Sequence, residues 1–191
     1  MSVSGYIWIL ISLKNISGIQ RAIFEIELDG RENVFMSVAT SESDDRCVVM
    51  VNSNAFLNLW RNEPYSIHSE ISMGNVSTWK NDYKYHYAVD GFSQGFSNPV
   101  PLASIVCQRY IEEIPIYRKK LFFKKLVRIE ENTVSYVSFI NGITRTIWLL
   151  VNDAKCFPVE CSNKVEAEQL ALLAGHDGIN HKTVKQLFKN T

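Results

Sequence analysis

Phe139-Ile140-Asn141-Gly142-Ile143-Thr144-Arg145-Thr146-Ile147-Trp148-Leu149-Leu150 is the stretch from which the fold of this chain can be read. Ahead of the turn, residues 133–140 are dominated by Val134, Tyr136, Val137, Phe139 and Ile140, β-branched and aromatic types that predict a strand. Asn141-Gly142 breaks the strand, because this pair adopts positive φ at little cost. Beyond it, Ile143, Ile147, Leu150 and Val151 recur at helical spacing, so the turn opens a helix. Such a corner presents backbone N–H groups without intrahelical partners and the positive end of a helix dipole. Those are the ingredients of an anion site, most often for phosphate. Gly142 lets a ligand approach the backbone closely, Thr144 and Thr146 offer hydroxyls, and Arg145 offers a planar fork for phosphate oxygens. The alternative is a plain strand–turn–helix junction that binds nothing.

The chain around this corner has 191 residues, 46% of them hydrophobic, enough for one globular domain with a real core and too apolar for intrinsic disorder. A net charge of zero argues against a globally basic nucleic-acid coat, but the charge is unevenly spread. Residues 1–95 carry 7 basic and 11 acidic side chains, whereas residues 96–191 carry 13 and 9. A polyanionic partner is therefore expected on the C-terminal half. Cys47, Cys107, Cys156 and Cys161 match neither a zinc pattern nor a redox pair, and their apolar flanks predict buried thiols in a reducing compartment. The apolar run at 6–11 is ended by Lys14 and Asn15 too soon for a spanning helix, and no basic segment precedes it as in a signal peptide. A buried strand is expected there, with a peripheral membrane contact as the alternative.

The N-terminal half reads as strands at 6–13, 21–28, 33–39 and 47–51, an antiparallel meander with Asp29-Gly30 as a hairpin turn. Ile26 and Leu28 alternate with Glu25 and Glu27, the pattern of a strand with one wet face. Residues 41–45 are an expected solvated turn. Asn52-Ser53 cap a short helix carrying Phe56, Leu57, Leu59 and Trp60, and residues 75–81 predict another helical turn. Residues 83–87, Tyr-Lys-Tyr-His-Tyr, predict a strand with three tyrosines on one face, the alternative being a base-stacking platform. Residues 90–102 are a loop by composition, either functional or a linker, with Asp90, Ser93 and Gln94 as its polar candidates.

Residues 117–128 place Phe122, Phe123, Leu126 and Val127 on one face of a predicted helix. Arg118, Lys119, Lys120, Lys124, Lys125 and Arg128 take the rest, with no interleaved carboxylate. The segment is either a docking surface for nucleic acid or anionic lipid, or an ordinary exposed basic face. DNA binding through it would be sequence-tolerant, because lysine contacts to phosphate do not read bases. After the central helix come a short strand at 156–159, a helix capped by Ser162 and ended by Gly175, and a terminal helix at 179–189.

Gly142-x-x-Arg145 at a helix start resembles the phosphate-binding signature of the ParB/sulfiredoxin superfamily, and Asn98-Pro99-Val100-Pro101-Leu102-Ala103 is similar to its lead-in segment. Within that superfamily, FxNGxxRTxWLL followed by a short Phe-Pro-Val strand resembles the plasmid fertility inhibition factors. The resemblance implies an α+β fold in one domain over 1–191. A ParB/sulfiredoxin-like core would lie at 90–175, a strand-rich antiparallel elaboration at 1–89 and a C-terminal helix at 176–191. It implies a factor that blocks T-DNA or conjugative DNA transfer through a type IV secretion system, as an ATPase and DNase in the bacterial cytoplasm or peripherally at the inner membrane. Asn141, Gly142, Thr144, Arg145 and Thr146 would cradle ATP, and Arg118–Arg128 would hold DNA. Arg145, Thr144 and Glu131 form the expected catalytic set. Glu130, Glu131 and Asp90 are the carboxylates nearest in sequence for a divalent cation such as magnesium. A sulfiredoxin cysteine would follow the glycine; Ile143 stands there, which removes sulfinic-acid reduction. The further arginine of ParB boxes is replaced by Ile147, which sets clamp formation aside. A non-enzymatic adaptor that blocks a coupling protein or relaxase is the alternative.

Overall fold

Residues 10–40, 45–120, 123–178 and 181–189 are described by the structure, a computed structural model of the chain. The expected features at 6–9, 41–44, 121–122 and 179–180 lie outside the described residues. The N-terminal half comprises β1 (Leu10–Ile16), β2 (Ile19–Ile26), β3 (Val34–Ala39) and β4 (Cys47–Asn52). Four helices follow: α1 (Ser53–Arg61), α2 (Ser69–Ser72), α3 (Val76–Lys80) and α4 (Tyr85–Ser93). The second half contains β5 (Val100–Pro101), β6 (Ala103–Lys120), β7 (Phe123–Asn141), α5 (Ile143–Val151), β8 (Cys156–Cys161), α6 (Lys164–Ala174), β9 (Lys182–Thr183) and α7 (Val184–Lys189).

The strands form two sheets, ordered β1-β2-β3-β5 and β7-β6-β8-β4-β9, so the fold is α+β. The antiparallel meander is real for β1 to β3, and Ser17-Gly18 turns β1 into β2 with φ of +54° and +81°, as a primed hairpin turn requires. β4 departs from it. This strand lies between β8 and β9 in the second sheet, with Val48, Val49 and Val51 wholly buried. Its unbroken apolar run, without the alternation of β2, is what a strand covered on both faces looks like.

Three local expectations change. Residues 83–87 do not form a strand: Tyr85 opens α4, which continues through Ser93 into ground expected to be loop. The helix wins because Ala88 and Phe92 then share a buried face, and Phe92 stacks on Trp148 of α5 at 4.2 Å. Residues 117–120 and 123–128 do not form a basic helix. They are the far end of a β6–β7 hairpin, paired from Ser104↔Asn141 out to Lys120↔Phe123. An isolated helix of that length must overcome a costly nucleus, whereas each added cross-strand pair extends a ladder already anchored at its base. Pro115 is tolerated because β6 pairs with β8 only from Ala103 to Ile105, leaving its other edge open beyond. The cap of α6 is Asn163, not Ser162; its Oδ1 accepts from the Glu166 N–H at 3.0 Å.

Phe139 positions the central corner. It packs edge-on against Trp60 at 4.8 Å and Phe56 at 5.8 Å, fixing the end of β7. Ile147 and Leu149 are wholly buried and seat α5 behind it.

Candidate functional site

The corner expected from the sequence is present: β7 ends at Asn141 and α5 starts at Ile143. Gly142 between them has φ +106° and ψ 13°. A Cβ there would lie 2.7 Å from both Cα and Cβ of Ala103 and 2.8 Å from Nε of Arg145. No side chain caps α5, so helix geometry leaves its first amides, from Ile143 onward, without intrahelical partners.

Arg145 folds back across the glycine. Its Nη1 donates to the Pro101 carbonyl at 2.7 Å and its Nη2 to Asn141 Oδ1 at 3.2 Å. Burial lowers its pKa, and the Glu160 carboxylate partly offsets this. Glu160 itself is bridged to Arg46 at 2.9 Å, and among the described residues Arg145 makes no ion pair. The cation is thus half-buried and held by neutral acceptors, a state that an incoming anion would relieve. Thr144 lines the same space, and among the described residues its hydroxyl makes no hydrogen bond. Thr146 corrects the expectation. It is fully buried and its hydroxyl donates backwards to the Gly142 carbonyl at 3.1 Å, so it braces the turn and offers nothing to a ligand.

The corner opens onto a cavity of about 840 Å³, within the range of small-ligand sites. Its walls are the lead-in residues Asn98 to Pro101, the segment from Tyr65 to His68, and one face of the α4 region. Glu63, Tyr65, His68, Lys84 and Tyr87 are wall residues that sequence reasoning missed. The signal for some was there: Lys84, Tyr87, Ala88 and Gly91 recur at helical spacing, and all four face the cavity.

Glu131 does not join this site. It pairs with Glu113 out on the hairpin, roughly 33 Å along β7 from Asn141 at ~3.3 Å per residue. Glu130 lies beside it, bridged to Arg128, and Asp90 does not line the cavity. The six basic residues Arg118, Lys119, Lys120, Lys124, Lys125 and Arg128 are likewise gathered at the hairpin's far end, remote from the corner.

Phosphate fits the bare α5 terminus, Arg145 and the cavity volume. A three-ligand metal site does not: among the described residues no group of three or more His, Cys, Asp or Glu side chains converges. Glu63, which accepts a hydrogen bond from Ser138 Oγ, is the carboxylate on the cavity wall. It would suit a magnesium ion that takes its other ligands from phosphate and water.

Comparison with known proteins agrees with this architecture. The chain is 22% identical over 157 residues to Protein osa of Shigella flexneri, covering 82% of this chain and 69% of that protein. Its fold is similar to the crystal structure of Oncogenic Suppression Activity Protein, described as a plasmid fertility inhibition factor. The TM-score is 0.66 at 21% identity, over 96% of this chain and 84% of that one. Residues 48–175, from β4 to the end of α6, match the family model of the Plasmid Fertility inhibition factor. The chain belongs to the plasmid fertility inhibition factor family.

Proposed function

We propose that this member of the family is a nucleotide-hydrolysing, DNA-cleaving factor with a ParB/sulfiredoxin-like phosphate corner. It would block transfer of T-DNA or conjugative DNA through a type IV secretion system. The observation that carries the reading is the uncapped start of α5, with Gly142 and a half-buried Arg145 at the wall of a nucleotide-sized cavity. The α5 amides and Arg145 would bind the phosphate oxygens of ATP and neutralise the charge that grows as the terminal phosphoryl group is transferred. Thr144 would add a hydroxyl donor. A magnesium ion on the phosphates, beside Glu63, would supply further charge neutralisation. DNA would lie along the cationic end of the β6–β7 hairpin.

The test is ATP hydrolysis and equilibrium nucleotide binding, with and without DNA, by wild type, Arg145→Ala and Arg145→Lys. Hydrolysis should be lost in Arg145→Ala and only partly kept in Arg145→Lys, since lysine lacks the fork. Unchanged turnover in Arg145→Ala would falsify the site.

One observation favours a second reading. Both ends of the Arg145 fork are already occupied by Pro101 and Asn141, which also suits a purely structural clamp. The chain would then be an adaptor that obstructs a coupling protein or relaxase, and purified protein would bind such a partner without turning over ATP.

A further inference from the structure

The β6–β7 hairpin continues well past the body of the protein, and its outer part carries an ordered pattern on one face. Cross-strand partners form four rows, Glu113 with Glu131, Pro115 with Ile129, Tyr117 with Leu126, and Lys119 with Lys124, the register shifting by one residue at Val127 between the second row and the third. The sequence of rows is acidic, apolar, apolar, basic. All eight side chains are exposed, among them Tyr117 at 54%, Leu126 at 46% and Ile129 at 52%.

Taken alone, this face is poorly arranged. Like charges directly opposite one another destabilise a strand pair, and here both terminal rows are of that kind. Among the described residues none of Glu113, Glu131, Lys119 and Lys124 makes an ion pair, whereas on the opposite face Arg128 bridges Glu130. The two apolar rows between them stay in water, and a two-stranded ribbon without a covering layer is marginal.

We propose that this face docks on the same face of a second copy of the chain, with the two arms antiparallel. The pattern is self-complementary about its centre. A two-fold axis crossing the arm between the Pro115 and Tyr117 rows sets Glu113 over the partner's Lys119 and Glu131 over the partner's Lys124. Pro115 then covers the partner's Tyr117, and Ile129 the partner's Leu126. Every like-charge row meets a row of opposite sign, and the apolar rows are removed from water together. A parallel arrangement would stack acid on acid and base on base. The contact runs about 20 Å along each arm, six residues at ~3.3 Å each, which places it at the small end of specific interfaces. The dimer is therefore weak and salt-sensitive. Arg118, Lys125 and Arg128 are on the other face and remain open to a polyanion. The inference does not rest on the nucleotide reading, because the arm and the α5 corner share no residue.

Sedimentation velocity on nuclease-treated protein, from micromolar to near-millimolar concentration, tests it. Wild type should show a monomer–dimer equilibrium that weakens with added salt. The pair Glu113→Lys with Glu131→Lys, and separately Lys119→Glu with Lys124→Glu, should each weaken self-association at least about tenfold, because the reversed rows then repel. Mixing the two variants in equal amounts should restore dimers, as heterodimers, and a misfolded variant could not produce that rescue. The proposal is overturned if wild type stays monomeric throughout. It is also overturned if the reversals leave association unchanged, if the mixture stays monomeric, or if nuclease treatment abolishes the wild-type dimer, which would make nucleic acid the occupant.

Discussion

Replacing Gly142 with alanine should damage the protein at its functional corner by a calculable amount. The residue holds φ at +106°, where an L side chain is strained by about 1–2 kcal/mol. Its new Cβ would sit 2.7 Å from two atoms of Ala103 and 2.8 Å from Arg145 Nε. The arginine end is flexible and can move, but only by leaving the pocket wall. Ala103 cannot, because β6 is held there between β7 and β8. Overpacking of this kind costs about 1–3 kcal/mol, so the total is about 3 kcal/mol within a range of ~2–5. For a chain of this length that lowers the midpoint of thermal unfolding by about 6–12 °C. The assay is paired denaturant and thermal unfolding of wild type, Gly142→Ala, Arg145→Ala and the double variant. Removing Arg145 should relieve only the smaller share of the cost, since the Ala103 contacts persist. A Gly142→Ala cost below about 1 kcal/mol, or one fully relieved by Arg145→Ala, would refute the packing argument.

Thr146→Val should cost about 1 kcal/mol by losing the buried hydroxyl bond, while leaving nucleotide affinity unaltered; the Gly142 carbonyl keeps the Thr146 N–H at 3.1 Å, so no acceptor is orphaned. Phe92→Ala should cost about 3–5 kcal/mol in denaturant unfolding, because the ring is buried on Trp148 and anchors α4; a loop residue would cost almost nothing. Burial pushes the Cys107 thiol from 9.0 up to about 11, so the folded chain retains a proton that the unfolded chain releases above pH 9. That stability is complete below pH 9 and is lost as pH rises through about 11, on the order of 2–3 kcal/mol in unfolding titrations. Cys47 and Cys161 shift in the same direction for the same cause and add to the alkaline loss.

What the sequence alone determined is the set of features governed by neighbours in the chain. A positive φ at Asn-Gly, the 3.6-residue recurrence of Ile143, Ile147, Leu150 and Val151, the Asn52 cap and the helical turn within 75–81 need only a few residues to act, and each is present. The strand-rich opening belongs with these. The tertiary structure decided everything that depends on what lies across from a segment. Residues 117–128 have a helical apolar stripe in sequence, yet residues 117–120 and 123–128 extend as a ribbon because β6 and β7 are already paired at their base. Residues 85–93 alternate like a strand at their start, yet Trp148 offers Phe92 a surface that only a helix can reach. β4 left the meander because a fully apolar strand needs cover on both faces. The same logic separates the site residues. Gly142 and Arg145 were legible because turn geometry brings them together. Glu63, Lys84 and Tyr87 come from elements that meet only after the chain has packed, and Glu131, close in sequence, is carried away at ~3.3 Å per residue by the strand on which it sits.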